Sequence, residues 1–216
     1  MNIDLSESSA SRRSFLEQVA GMGTAAMLGE SAPRTNSEWD VSWIESVRKA
    51  KHRALFDAPM PAAVLDLATR YYNNIETVYG PSAGRTCAVL NLRTRSVSMG
   101  LADPIWQKYP VAEDAKVTDP ETGAPARRNV DMRVSAEKAA QGYGSLENLQ
   151  ARGAIFLICD FALEHLANRL ATATAAKADA VHAALRTNLV RGAVLVPSGI
   201  FGAMEAQNAG CAFFPG

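Results

Sequence analysis

The chain has 216 residues, of which 48% are hydrophobic and 20% are charged; this composition is typical of a globular protein and excludes wholesale disorder. Lys plus Arg and Asp plus Glu are equal at 22 each, so no net positive charge favours nucleic acid or an anionic membrane as a partner. The three cysteines, Cys87, Cys159 and Cys211, are too few and too widely spaced for a disulfide scaffold or a zinc ribbon. We therefore expect one soluble domain.

The first 33 residues are typical of an export signal rather than of a folded domain. Arg12 and Arg13 precede a weakly apolar run, 19–28, that is rich in Gly and Ala. This pattern resembles a twin-arginine signal, in which a receptor recognises the arginine pair; the alternative is a solvated arginine pair on an N-terminal helix. The apolar run is too short for an ordinary membrane span. We therefore expect a periplasmic protein that has no membrane attachment once the signal is removed.

From residue 34 onward the hydrophobic pattern predicts helices that alternate with strands. Residues 34–51 predict a helical extension with Trp39 and Trp43 on one face, where they would cover the core or a neighbouring subunit. In chain order we then predict a strand at 53–56, a helix at 61–78, a strand at 86–92, helices at 98–109 and 135–151, a strand at 154–159, helices at 161–170 and 176–189, a strand at 193–196, a helix at 200–209 and a strand at 211–214. This alternation predicts an α/β domain over residues 52–216 with a mainly parallel sheet of about five strands, covered by helices on both faces.

Residues 110–134 interrupt the alternation. The segment contains three prolines, one glycine and an arginine pair, and its apolar residues show little periodicity. A stretch of this length without regular structure in a compact domain indicates a functional loop or a flexible insertion. We predict an inserted loop here.

Candidate site residues follow from the rule that ligands of open parallel sheets bind beyond the carboxyl ends of the strands. The residues predicted at those ends are Asp57, Arg93, Cys159, Asp160, Ser198 and Gly199. Cys159 ends a strand directly before a helix, where backbone N–H groups and the helix dipole favour a thiolate, and Arg93 on the same edge would stabilise it further. The alternative is that Cys159 is a small buried hydrophobic residue, which is the common role of a free cysteine.

Other chemistry has weaker support. Cys87 and Cys211 are predicted to lie in the core. His165, with Asp160 and Glu164 nearby, lacks the spacing of a metal site, and Asp160 is predicted to cap the helix that follows it. No glycine-rich dinucleotide fingerprint follows a strand, and no nucleophilic serine motif is present. We therefore expect neither a metal nor a cofactor.

Two segments of the second half resemble the DsrE-like sulfur-relay family. One is the strand and helix Gly153–Leu163, in which the strand ends in Cys159; the other runs from Leu195-Val-Pro-Ser-Gly199 to Ala206-Gln-Asn-Ala-Gly210-Cys-Ala-Phe213. The resemblance implies a three-layer α/β/α domain, assembly into homo-oligomers and, in some members, a persulfide on the cysteine at the position of Cys159. The export signal, the insertion 110–134 and the acidic Asp160 beside the cysteine are departures from the family.

Two functions are consistent with these features. The first is an exported sulfur carrier or sulfurtransferase that uses Cys159 as its persulfide site and exchanges sulfur with a donor or acceptor protein or small molecule. The alternative is a non-catalytic, oligomeric ligand-binding or structural protein of the periplasm, with residues 110–134 as a lid or an inter-subunit arm. A thiol redox protein has less support because no resolving cysteine is close to Cys159 in sequence. For the predicted homo-oligomer, the large aromatic residues expected to anchor the subunit contact are Trp39, Trp43, Trp106 and Tyr109.

Overall fold

The computed structural model describes residues 39–61, 63–81 and 86–215. The predicted twin-arginine signal, residues 1–33, lies outside the described residues and stays a prediction. The strands of the described part are β1 (His52–Ala58), β2 (Thr86–Leu92), β3 (Ile155–Cys159), β4 (Val194–Val196) and β5 (Ala212–Pro215).

These strands form one sheet in the order β4-β3-β2-β1-β5, and every neighbouring pair is parallel. The predicted parallel sheet of about five strands is therefore confirmed. The central strand, β2, coincides with the predicted strand 86–92, and each of its residues is buried. Such burial is expected for a continuous apolar run in a parallel sheet that is covered on both faces.

The helices of the described part connect and flank the strands. They are α1 (Trp43–Lys49), α2 (Val64–Tyr79), α3 (Asp103–Lys108), α4 (Val111–Ala115), α5 (Ala136–Ala140), α6 (Leu146–Ala151), α7 (Asp160–Thr174), α8 (Ala178–Thr187) and α9 (Gly199–Asn208), with a 3-10 helix at Ser96–Gly100. In the described residues, none of these helices has the length and the apolar character that a membrane crossing needs.

Two predicted helices are each divided in two. The predicted helix 98–109 consists of the end of the 3-10 helix and of α3, and Pro104 lies in the first turn of α3, where its missing N–H is not needed. The predicted helix 135–151 consists of α5 and α6. Gly142, with a φ of 88°, lies in the turn between them, and the Ser145 side chain caps α6 by accepting from the Asn148 N–H.

The core lies on both faces of the sheet, and alternate strand residues serve each face. Leu55, Val89 and Leu157 pack with α1 and α9 on one face. Phe56, Leu90, Phe156 and Ile158 pack with residues of α2, α7 and α8 on the other. The domain is therefore a three-layer α/β/α structure.

The aromatic residues predicted to anchor a subunit contact are in fact mostly core residues. Trp43, Trp106 and Tyr109 are buried within the chain, and the Trp106 indole N–H donates to the Leu101 carbonyl (3.2 Å). The prediction that these side chains are available to another subunit is wrong. Trp39 lies before α1, which begins at Trp43, so the two tryptophans do not share a helix face.

The segment 110–134 is more ordered than predicted. It begins with the short helix α4, in which Val111 and Ala112 are buried. The Asn129 amide then donates to the carbonyls of Met99 and Leu101 (2.7 and 2.9 Å). These contacts fix the insertion to the body of the domain. Apart from α4, the described segment contains no helix or strand, so it is a loop that is held to the domain by defined hydrogen bonds.

Candidate functional site

A cavity of about 530 Å³ lies beyond the carboxyl ends of β2, β3 and β4. It is lined by Arg93, Thr94, Arg95, Asp114, Cys159, Phe161, Ala162, His165, Arg169, Ser198, Gly199 and Ile200. Four of the residues predicted from the strand ends are among them: Arg93, Cys159, Ser198 and Gly199. This is the edge of the sheet where ligands of parallel α/β proteins bind.

The strand ends are held side by side by backbone hydrogen bonds. The Phe161 N–H donates to the Pro197 carbonyl (3.3 Å), which joins the segments that follow β3 and β4. The Arg93 N–H donates to the Ala58 carbonyl (3.2 Å), which joins the ends of β2 and β1. The three segments that contribute Arg93, Cys159 and Ser198 are therefore held together by hydrogen bonds within the chain.

Cys159 is the N-cap residue of α7 and forms part of the cavity wall. Its sulfur accepts the Ala162 N–H at 3.3 Å, and the residue is only 4% exposed. The predicted cap, Asp160, is instead the first residue of the helix, because the strand ends one residue before it. The Cys159 sulfur therefore accepts a backbone N–H at the N-terminal end of α7 and borders the cavity.

Arg93 is held in place by Asp57 at the end of β1. Its Nε and Nη2 atoms donate to the two Asp57 oxygens, each at 2.7 Å, and the Asn91 amide donates to the same carboxylate at 2.9 Å. Burial alone would raise the pKa of Asp57, but the hydrogen bonds from Arg93 and Asn91 outweigh it and lower the pKa below its ordinary value. Asp57 is therefore charged. It does not line the cavity, but its carboxylate accepts two hydrogen bonds that hold the Arg93 guanidinium in position.

Arg93 also interacts electrostatically with Cys159. The pKa of Arg93 is raised above its ordinary value, mainly by the hydrogen bond to Asp57, against the effect of burial, and with a further contribution from attraction to the Cys159 sulfur. The structure thus brings the predicted cation and the predicted thiol to the same place.

Ser198 and Gly199 form the start of α9. The Ser198 hydroxyl accepts the Phe201 N–H (3.2 Å) and caps the helix. A Cβ atom on Gly199 would lie only 2.8 Å from the Arg93 Cδ atom. The absence of a side chain at Gly199 therefore allows Arg93 to cross the first turn of α9.

Asp160 faces away from the cavity lining. Its Oδ1 atom lies 2.9 Å from His182 Nε2 and 3.4 Å from Arg186 Nε, and both partners belong to α8. The carboxylate that the sequence places next to Cys159 is thus paired with cationic or hydrogen-bonding groups on another helix. Asp160 joins α7 to α8.

Several lining residues were not identified from the sequence. Phe161, His165 and Arg169 are spaced by four residues along α7 and present one helix face to the cavity. Because this spacing begins two residues after Cys159, the sequence could have predicted that the three side chains lie near the thiol. Asp114 comes from α4 in the insertion and pairs with Arg169 through two contacts of 2.6 and 2.9 Å. No local pattern predicts that pairing.

The turn after β2 has an unusual backbone. Thr94 has a φ of 57°, a left-handed conformation that is rare for a β-branched residue. The residues on either side of it, Arg93 and Arg95, both line the cavity. Backbone strain of this kind persists where the surrounding structure holds it, and it is common at functional sites.

The two remaining thiols lie elsewhere and are buried. Burial raises the pKa of Cys87 to about 12 and that of Cys211 to about 11. Within the described residues, no group of three or more His, Cys, Asp or Glu side chains is placed to hold a metal ion. At the carboxyl edge, the described lining places the Cys159 thiol with three arginines, Arg93, Arg95 and Arg169, and with His165.

These features define a three-layer α/β protein with a cysteine-containing cavity at the carboxyl edge of a parallel sheet. No family model, curated protein or solved structure matches the chain.

Proposed function

We propose that the protein is an exported DsrE-like sulfur carrier in which Cys159 holds a sulfur atom as a persulfide. The observation that carries the proposal is the position of the Cys159 sulfur, which accepts the Ala162 N–H at the start of α7 and at the same time forms part of the wall of a 530 Å³ cavity. A cysteine that served only for packing would need neither the cavity nor the adjacent guanidinium of Arg93.

The transfer step needs only a thiolate and a donor with a leaving group. The Cys159 thiolate attacks the outer sulfur of thiosulfate, a sulfur–sulfur bond forms, and the original bond breaks with its electron pair leaving on sulfite. The product is a persulfide anion on Cys159, which a second thiolate can attack to take the sulfur away. The thiol proton goes to solvent when the thiolate forms, and no external oxidant is required.

The surrounding groups favour the anions of this step. The N-terminus of a helix stabilises a nearby negative charge by roughly 0.3–1 kcal/mol, and by up to about 2 kcal/mol where the charge is partly buried. Arg93 adds a fixed positive charge whose position is set by the pair with Asp57. Both contributions act on the Cys159 thiolate and on the persulfide anion that replaces it.

The remaining parts of the proposal concern location and assembly. Export by the twin-arginine pathway would deliver the folded domain to the periplasm, where a donor or acceptor protein or small molecule exchanges sulfur with Cys159. A homo-oligomer is proposed mainly from the family resemblance, because three of the four aromatic residues expected at its interface, Trp43, Trp106 and Tyr109, are buried in the described chain.

A second candidate is a binding protein that uses the same cavity without covalent chemistry. The observation in its favour is that Cys159 is almost inaccessible, at 4% exposed. A ligand could then occupy the cavity without contacting the Cys159 sulfur.

Intact-protein mass spectrometry after incubation with thiosulfate or polysulfide separates the two candidates. The carrier gains the mass of one sulfur atom, loses it on treatment with dithiothreitol, and fails to gain it when it carries Cys159→Ser. Cys87→Ser and Cys211→Ser are the matched controls, and both should keep the adduct. If the wild-type protein gains no sulfur from any sulfane-sulfur donor tested, or if Cys159→Ser gains as much as the wild type, the carrier proposal is wrong.

A further inference from the structure

The three arginines that line the cavity differ in their charge environment. Arg93 is paired with Asp57, and Arg169 is paired with Asp114, each through two short contacts. In the part of the chain that the structure describes, the Arg95 side chain takes part in no ion pair and no side-chain hydrogen bond, and the residue is exposed. Arg95 is therefore the lining arginine whose charge is available to a ligand.

Large apolar side chains lie at the same cavity. Phe161, in the first turn of α7, is 59% exposed, and Ile200, in the first turn of α9, is 74% exposed; both are lining residues. Exposed apolar groups of this size at a cavity indicate contact with an apolar part of a ligand. Such side chains form no favourable contact with a small, fully hydrated inorganic anion.

The volume of the cavity agrees with a larger ligand. Organic ligands occupy cavities of about 300–1,000 Å³, and 530 Å³ lies within that range. Since a water molecule takes up about 30 Å³ of liquid volume, an anion as small as thiosulfate would leave most of the space to water. The cavity thus combines one available guanidinium, an apolar wall and room for an organic body.

We infer that the cavity binds an organic sulfur donor with an anionic head and an apolar body, of the class of aryl or alkyl thiosulfonates. Arg95 binds the sulfonyl oxygens, because its guanidinium can donate two parallel hydrogen bonds to such a group, and Phe161 and Ile200 contact the apolar body. The assignment of the ligand as a donor rests on the proposed function, whereas its binding does not.

The corresponding transfer is balanced. The Cys159 thiolate attacks the terminal sulfur of the thiosulfonate, and the bond between that sulfur and the sulfonyl sulfur breaks. The electron pair of that bond leaves with the sulfinate, and the transferred sulfur remains on Cys159 as a persulfide anion. Arg95 stays bound to the oxygens of the leaving sulfinate, so it takes no part in bond formation and acts as a positioning residue.

Binding is tested with benzenesulfonate, which has the anionic head and the apolar body but no sulfur to transfer. Isothermal titration calorimetry should show binding to the wild type and to Cys159→Ser, at least tenfold weaker binding to Arg95→Gln, and weaker binding of methanesulfonate than of benzenesulfonate. Arg70→Gln is the matched control, since Arg70 is an exposed arginine of α2 that does not line the cavity. Equal affinity of the wild type and Arg95→Gln, or no binding of benzenesulfonate, overturns the inference.

A second measurement separates this inference from the proposed function. Benzenethiosulfonate and thiosulfate are compared as donors by the mass gain at Cys159, with Phe161→Ala as the test of the apolar wall. If benzenesulfonate binding depends on Arg95 but neither donor loads Cys159, the ligand class stands and the carrier function falls. If both donors load the wild type equally well, and Arg95→Gln and Phe161→Ala change neither rate, the carrier function stands and the ligand class is wrong.

Discussion

The reactivity of Cys159 relative to the other two thiols is the most direct test of the site. Only thiolates react with iodoacetamide at a useful rate. With pKa values of about 12 and 11, Cys87 and Cys211 are ionised at pH 8 to roughly one part in 10⁴ and one part in 10³. An ordinary exposed thiol, with a pKa of about 8.5, is ionised to roughly a quarter at that pH. We therefore expect Cys87 and Cys211 to react about 10²- to 10³-fold more slowly than free cysteine.

Cys159 should be alkylated first in the folded protein, because its sulfur receives the Ala162 N–H and borders the cavity. The assay is a time course of iodoacetamide labelling at pH 8, with the modified peptides quantified by mass spectrometry. Labelling of the protein after unfolding in concentrated guanidinium chloride supplies the reference in which all three cysteines react alike.

Two variants separate the charge beside the thiol from its packing. Arg93→Ala should slow the labelling of Cys159, because it removes the neighbouring cation. Asp57→Asn should speed it, because the Arg93 charge is then no longer compensated by the carboxylate. If the substitutions acted only by loosening the packing around Cys159, both would change its labelling rate in the same direction. If Cys159 reacts only after unfolding, it is a packing residue, and the sulfur-carrier proposal falls with it.

Four further predictions concern other parts of the molecule. Replacing both Arg12 and Arg13 by Lys should leave the protein in the cytoplasm, because the receptor recognises the guanidinium pair; unchanged periplasmic yield contradicts export by this route. Light scattering at micromolar concentration should give an oligomer mass, and a monomer mass would refute assembly. Burial raises the pKa of Asp131 to about 6, so folding stability is lost as the pH rises from about 4 through 6, and Asp131→Asn should exceed the wild type by roughly 2–3 kcal/mol in urea unfolding at pH 8 but not at pH 4. Gly199→Ala should cost about 1–3 kcal/mol in the same measurement, because its Cβ meets the Arg93 side chain; a neutral result would show that Arg93 can move aside.

The architecture was predictable because its signals are local. A largely apolar run such as 86–92 is typical of a strand that is buried on both faces. The amphipathic segments between the strands predict the helices that cover those faces. Once the strands are placed, the carboxyl-end rule brings Arg93, Cys159, Ser198 and Gly199 to one edge without any knowledge of side-chain contacts. Helix boundaries were less predictable. Pro104 can begin a helix as well as interrupt one, and Gly142 ends a helix only where the chain adopts a positive φ.

The burial of the aromatic residues depends on tertiary packing instead. Trp106 lies on a helix of only six residues, whose amphipathic period is too short to indicate an inward face. Its burial follows from the segment around Asn129, whose amide donates to the Leu101 carbonyl that also accepts from the Trp106 indole. A contact between residues that distant in sequence has no local signature.

The charge of the cavity is set by pairs of the same long-range kind. Asp57 and Arg93 are 36 residues apart, and Asp114 and Arg169 are 55 apart. The sequence alone does not distinguish the three cations Arg93, Arg95 and Arg169. Counting all three as unpaired charges would overestimate the positive electrostatic potential at the cavity. The structure shows that Arg93 and Arg169 are each paired with a half-buried carboxylate, which weakens their field on an incoming anion and fixes their positions in the cavity wall. Recognition of an anion then falls to Arg95, because in the described cavity it alone among the arginines has no carboxylate that a ligand would need to displace.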